Sequence, residues 1–425
     1  MPATVAQDAF YVDRYCYVVG PWFDLFDMRK QFTIHVPHLS LSHQLLYLSL
    51  LACAAKQYYL SHLTQSADAS LLYYDRALRL ITESLNDVSV SASSEVLASC
   101  VLLAECEMMG DCYQNWHLHI EGIYSLITAH GWHGCSGGLP QACFWVYCRM
   151  DLLSSLAAAK RTHLDTSLWL PRDDALAPAD GSQEWSLNAW SNYTVLLLAQ
   201  IHDLLCEVRV EEPHEPSEAL CKEWNRLRKT TEAHERRQPL QFKPLIVLDS
   251  WDDKRDSPFP CVRYPSEDIS AANQLFDLAR LLLILARPTR CRSDRMSHYA
   301  SSESVFLTFV NLVVGNSIHN RHELNWVCAV QLLSSAGMCL TGWRKRMALL
   351  KCLKDIHVQT GWNTRENIQA LLTWWGWAAP LNERGQNWTD VSQEIGPQAS
   401  IEEWMMRMYD AGVIMAAARR DGRTR

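Results

Sequence analysis

The sequence predicts an all-α protein, an irregular multi-helix domain built of antiparallel helices. Nearly every long segment repeats its apolar residues at helical spacing, and strand-like alternation is scarce. The stretches joining consecutive segments are mostly short, which favours antiparallel neighbours. No fixed repeat period of the kind that builds tetratricopeptide or HEAT arrays runs through the chain.

The first strong helix is expected over Ser42–His62, apolar on most faces and therefore central. Its most apolar run, Leu45–Ala55, is shorter than the about 20 residues that span a bilayer. His43 and Lys56 flank it, so no membrane segment is expected. The next helix, SLLYYDRALRLITESL, places Leu71, Tyr74, Leu78 and Ile81 along one face. A third runs from Glu95 to Met109, with Ser94 placed to cap it and Gly110 to close it at positive φ. The fourth covers Tyr113–His130 and stops at Gly131.

A fifth helix opens at Pro140, whose fixed φ suits a first helical position, and continues through QACFWVYCRMDLLSSLAAAK. After Trp169 the pattern lapses into PRDDALAPADGSQE, a polar connection. Helices over Trp185–Arg209 and Glu218–Glu235 follow, separated by EEPHEPSE. Residues 239–268 carry many prolines and little periodicity and read as an ordered loop or hinge. If the chain has two lobes, the division is expected there.

Ile269–Arg287 is the most apolar helix of the second half, stopped by Pro288. Helices over Ser302–Val314, Glu323–Leu340 and Trp343–Gln359 come next, the last ended by Gly361. Thr364 then opens the helix RENIQALLTWWGW, and a polar tail leads to a short helix over Ser400–Ala418.

A hydrophobic content of 48% supplies ample side chains for a sizeable core. The net charge of −8 argues against a surface that neutralises many phosphates, so any DNA contact would use a small patch or a partner. The 15 cysteines contain no C-x-x-C pair. Cys53, Cys100, Cys106, Cys148 and Cys339 sit in apolar runs, as reduced core residues of an intracellular protein would.

One stretch invites a chemical reading. HGWHGCSGG, residues 130–138, holds a G-x-S-x-G with Ser136 at the nucleophile position, and also His130, His133 and Cys135. A nucleophile elbow needs a strand running into the turn, and the preceding HIEGIYSLITAHG reads as a helix. Two histidines three apart at a helix end could face one ion, with Cys135 adding a thiolate, but no second ligand cluster is near in sequence. The loop is therefore read as a connection. Arg280, Arg287, Arg290, Arg292 and Arg295 read as a solvated face rather than an anion site. Trp374, Trp375 and Trp377, with Trp362 upstream, read as core rather than a pocket lining. The terminal RRDGRTR is a basic tail with the composition of a nuclear-import or acidic-partner contact. No catalytic, cofactor-binding or metal-binding residue is assigned.

Several motifs in order carry a family resemblance. PWFDLFD (Pro21–Asp27), the F-x-x-x-VP-x-L of Phe32–Leu39, LLYLSLLACAAKQ, YYDRALRLI, VLLAECEMMGD, WHLHIEGIYSLI and FWVYCRMDLLSSLAAAKRTHLD are followed by LFDLARLLLILARPT and TGWNTRENIQALLTWWGW. Together they resemble the regulatory, or middle-homology, domain of fungal-specific transcription factors with a six-cysteine binuclear zinc cluster. The resemblance covers residues 20–380, leaving a lead segment, 1–19, and a C-terminal segment, 381–425, with the short helix and basic tail.

In that family a C-x2-C-x6-C module, in two halves, precedes the domain and binds DNA. Here only Cys16 precedes it, so none of the six ligands can be placed on this sequence. Either an upstream exon is missing, or the chain is a co-regulator that reaches promoters through another factor. The resemblance implies a nuclear transcription regulator of metabolic or secondary-metabolite genes, not an enzyme, and without a cofactor. Its partners would be other transcription factors or co-regulators, with a small-molecule effector as a further candidate and no direct DNA contact. The alternatives are a non-DNA-binding co-regulator, a ligand sensor acting through protein partners, and, last, a helical enzyme.

Overall fold

The computed structural model describes residues 5–62, 66–86, 93–110, 116–172, 174–177, 185–211, 216–248 and 257–377. The fold is all-α as expected. Among the described residues the strands are Ile246–Leu248 (β1) and Cys261–Arg263 (β2), an antiparallel pair in which Val247 faces Val262. The chain falls into two compact units. Among the described residues, the first takes those within 5–151, 163–193 and 355–363, and the second those within 152–162, 194–354 and 364–377. The described residues of 239–268 belong to the second. The expected helix Ser400–Ala418 and the basic tail lie outside the described residues.

In the first unit, helix α1 (Val5–Arg14) forms within what reads in sequence as a lead segment. The short helices α2 (Gly20–Phe23) and α3 (Val36–Ser40) lead to α4 (Gln44–Ser61). Leu46, Leu50, Leu51, Ala52 and Cys53 on successive faces of α4 are wholly buried, because α4 packs against both α5 (Asp68–Asn86) and α6 (Ser94–Met108). Each fully buried leucine contributes roughly 1.5–3 kcal/mol. Arg14 ties α1 to α4, with Nε donating to Gln57 Oε1 at 2.6 Å and Nη2 to Ser61 Oγ at 2.9 Å.

The buried face of α5 departs from the expected one by a residue. It is Ser70, Tyr73, Ala77 and Ile81, while Leu71 stays 59% exposed. Tyr73 turns inward because its hydroxyl donates to Asp8 on α1 at 2.5 Å. The cap of α6 also shifts by one, since Ser93 Oγ, not Ser94, accepts from the Val96 N–H at 3.2 Å. Gly110 does not adopt positive φ. The helix instead ends in a tightened turn, with Gly110 N–H bonded to the Glu107 carbonyl at 3.2 Å, so no left-handed residue is needed.

Helix α7 (Trp116–His130) does end on a left-handed glycine, Gly131 at φ +63°. The Trp132 N–H then reaches back to the Ile127 carbonyl at 3.0 Å. Helix α8 starts at Gly138 rather than Pro140 and runs to Ala158. Pro140 falls in its first turn, where a missing N–H costs nothing. Burial pushes the thiols of Cys100 and Cys106 up to about 12, so both stay protonated core groups.

The second unit holds most of α9 (Leu187–Glu211) and α10 (Glu218–Arg236), whose start is capped by Ser217 Oγ. Next come α11 (Glu267–Leu285), α12 (Arg292–His319), α13 (Glu323–Gly337), α14 (Trp343–Thr360) and α15 (Arg365–Trp374). Only the earlier part of α14 belongs to this unit. Helix α12 is twice the expected Ser302–Val314, because the polar run RSDRMSHYASS continues the helix without adding to its apolar period. Helix α11 is buried on nearly every face between α12 and α13. A polar seam sets their register: Ser270 Oγ donates to Asn316 Oδ1 at 2.8 Å, and Asn325 Nδ2 donates to the same oxygen at 3.1 Å.

Candidate functional site

The HGWHGCSGG loop folds around its own backbone. His133 N–H donates to Ser136 Oγ at 2.8 Å, and Cys135 N–H donates to His133 Nδ1 at 3.1 Å. The serine hydroxyl thus closes a turn, and the ring lone pair of His133 is already engaged. His130 lies against the Trp132 ring, 4.8 Å between centroids. Among the described residues no group of three or more His, Cys, Asp or Glu is arranged to hold a metal. Gly134 has a separate reason to be glycine. Its N–H donates to the Trp169 carbonyl at 2.8 Å, its carbonyl accepts from Trp145 Nε1 at 3.0 Å, and a Cβ would sit 2.6 Å from the Trp145 ring.

This loop forms one wall of a cavity of about 330 Å³ in the first unit. A second wall is the PWFDLFD segment. There Asp24 is fully buried and accepts from the N–H groups of Phe32 (2.9 Å) and Thr33 (2.6 Å), and Phe32 stacks on Phe23 with centroids 4.8 Å apart. Burial raises the Asp24 carboxyl above its ordinary range, against the pull of those bonds. Asp27 accepts from the N–H groups of Arg29 and Gln31 at 3.0 and 3.2 Å.

Gln141, Trp145 and Arg149 supply a third wall, spaced four apart and so on one face of α8. Arg149 is 7% exposed; its Nη2 donates to the Phe23 carbonyl at 2.7 Å and its guanidinium lies 5.5 Å over the Phe26 ring. Asn188 and Asn192, again four apart, close the cavity from the first turns of α9. Asn188 Oδ1 accepts from the Met28 N–H at 3.2 Å, whereas the buried Asn192 Oδ1 has no partner among the described residues. Behind Arg149, burial raises the Glu105 carboxyl to about 7, and the arginine charge pulls it partly back.

Most of the other sequence candidates have structural partners. Arg280 bonds Asp277 and also Glu235, at 2.7 Å, and its guanidinium lies within 5 Å of the Phe276 and Phe309 rings. It is a clamp inside the second unit, not part of a solvated basic face. Arg287 donates to His298 Nδ1 at 2.8 Å, and Arg295 Nε to Thr289 Oγ1 at 3.3 Å. Arg290 is exposed, and Arg292 opens α12. Trp375 and Trp377 are buried edge-to-face with centroids 5.3 Å apart, the Arg346 guanidinium lies 5.3 and 5.4 Å from their rings, and Trp374 donates to the Met338 carbonyl at 2.9 Å. Trp362 belongs to the first unit.

The fold and cavity define a two-unit helical domain with a small polar chamber in its first unit. The chain belongs to the family described as the fungal specific transcription factor domain, which matches residues 10–402. It is similar to Transcription activator AMTR1 of Alternaria alternata, 22% identical over 475 aligned positions. That alignment covers 84% of this chain and 61% of the relative, so the chain spans a little less than two thirds of that protein. No solved structure matches it.

Proposed function

We propose that this chain is the regulatory part of a nuclear transcription regulator that controls metabolic or secondary-metabolite genes and works through protein partners. The family match across residues 10–402 carries the reading. The relative's name, a transcription activator, supports activation as the output. A net charge of −8 supports contact with other factors over direct grip on a duplex.

Tethering the full chain to an unrelated DNA-binding module upstream of a reporter tests the output. Expression rises if the reading is right, and an unchanged reporter in the native fungus argues against it. Purified chain is expected to show little sequence-selective DNA affinity, and nanomolar selective binding at physiological salt would contradict the partner-mediated mechanism.

A further inference from the structure

We propose that the cavity of the first unit binds a small organic acid that also carries a hydrogen-bond donor, of the size of an amino acid or hydroxy acid. Its volume of about 330 Å³ is at the lower end of ligand pockets, and its lining mixes aromatic rings with amide and guanidinium groups. Two buried side chains on its wall keep unused bonding capacity. Of the five N–H donors of Arg149, one is spent on the Phe23 carbonyl, and the guanidinium lies 5.5 Å from the centre of the Phe26 ring. Asn192 is 5% exposed, and its Oδ1 accepts from no group among the described residues.

A buried acceptor left unmet is destabilising, so a donor is expected to meet it. A carboxylate on the arginine fork, and an amine or hydroxyl on Asn192 once its side chain turns the covered Oδ1 towards the cavity, would complete both groups with one molecule. Asp27, the acidic residue on the wall, already accepts from the N–H groups of Arg29 and Gln31, which leaves its charge less available to oppose an incoming acid. Such a ligand deepens the regulatory role proposed above, but the test reads binding alone and can fail while that role stands.

The purified full chain would be titrated calorimetrically with the common L-amino acids, lactate and malate, each beside its amide. At least one acid is expected to bind, with its amide weaker by about tenfold or more. Asn192→Leu is expected to weaken that acid about tenfold. Ala189→Trp, which fills the cavity from its wall, is expected to abolish binding. Heats from no acid, equal affinity for acid and amide, or indifference of the bound acid to both substitutions would each overturn the proposal. The acid–amide comparison uses the native chain and so decides the matter even if a variant misfolds.

Discussion

Arg149 Nη2 donates to the carbonyl of Phe23 at 2.7 Å, joining α8 to a segment 126 residues earlier in the chain. The bond sits among buried groups, and the arginine also supplies the charge that offsets burial of Glu105. Arg149→Met keeps much of the apolar stem but removes both functions. It is expected to lower stability by about 2–4 kcal/mol at neutral pH, through an unmet carbonyl and an uncompensated carboxylate. A shift of the urea midpoint to lower denaturant, with little change in slope, is the measurement. An unshifted midpoint would show that the bond carries no net stability.

Glu105 makes stability depend on pH in a defined direction. Its carboxyl is raised from 4.5 to about 7 in the folded chain, chiefly by burial. Between those values the folded state holds more protons than the unfolded one, so stability falls as pH rises through the window. Glu105→Gln removes the dependence. It is expected to match the parent at about pH 4 and to exceed it by roughly 2–3 kcal/mol at about pH 8. Paired denaturation curves at the two pH values check this, and equal stability at both would contradict it.

The second unit is expected to fail on the acid side, for the opposite reason. His202 and His234 are almost fully buried, and burial lowers them to about 4 and about 3. The unfolded chain takes up protons near 6.5, so stability is complete above that pH and is lost as pH falls towards the folded values. Each histidine costs roughly 2 kcal/mol by about pH 5. His202 Nε2–H donates to the Lys160 carbonyl at 2.7 Å, and a glutamine amide can replace that donor. His202→Gln is therefore expected to flatten the acid limb between about pH 6.5 and 4 while leaving neutral stability within about 1 kcal/mol. An unaltered acid limb would place the titration elsewhere.

The helices were legible in the sequence because apolar period and end signals report local geometry. They became illegible where tertiary partners intervene. Leu71 fits the helical period of α5, but the face that is buried is set by the Tyr73–Asp8 bond to another helix. The polar half of α12 shows no period because few of its residues meet a core. The cavity left still less trace. Its walls come from Phe23, Gly134, Arg149 and Asn192, and nothing in the spacing of those residues announces that they meet. In the HGWHGCSGG loop the visible motif suggested chemistry at Ser136, whereas the residue most constrained by packing is Gly134 against Trp145.

Two glycines that look alike in sequence separate the local from the tertiary signal in one experiment. Gly110 and Gly361 each follow a helix and read in sequence as its stop. Gly361 takes φ +77°, and a Cβ there would lie 2.8 Å from Leu60 Cβ and 3.0 Å from the Ser61 nitrogen. Gly110 is outside the left-handed region, and a Cβ would meet the flexible end of Lys56 at 3.0 Å, which can move aside. Gly361→Ala is expected to cost about 2–4 kcal/mol, from left-handed strain together with backbone crowding. Gly110→Ala is expected to stay within about 0.5 kcal/mol of the parent, because reduced freedom of the unfolded chain offsets the small adjustment of Lys56. Urea midpoints of the two variants, measured side by side, check the contrast. Equal losses would mean that Gly110 needs its freedom as much as Gly361 does, and the assignment of its turn would be wrong.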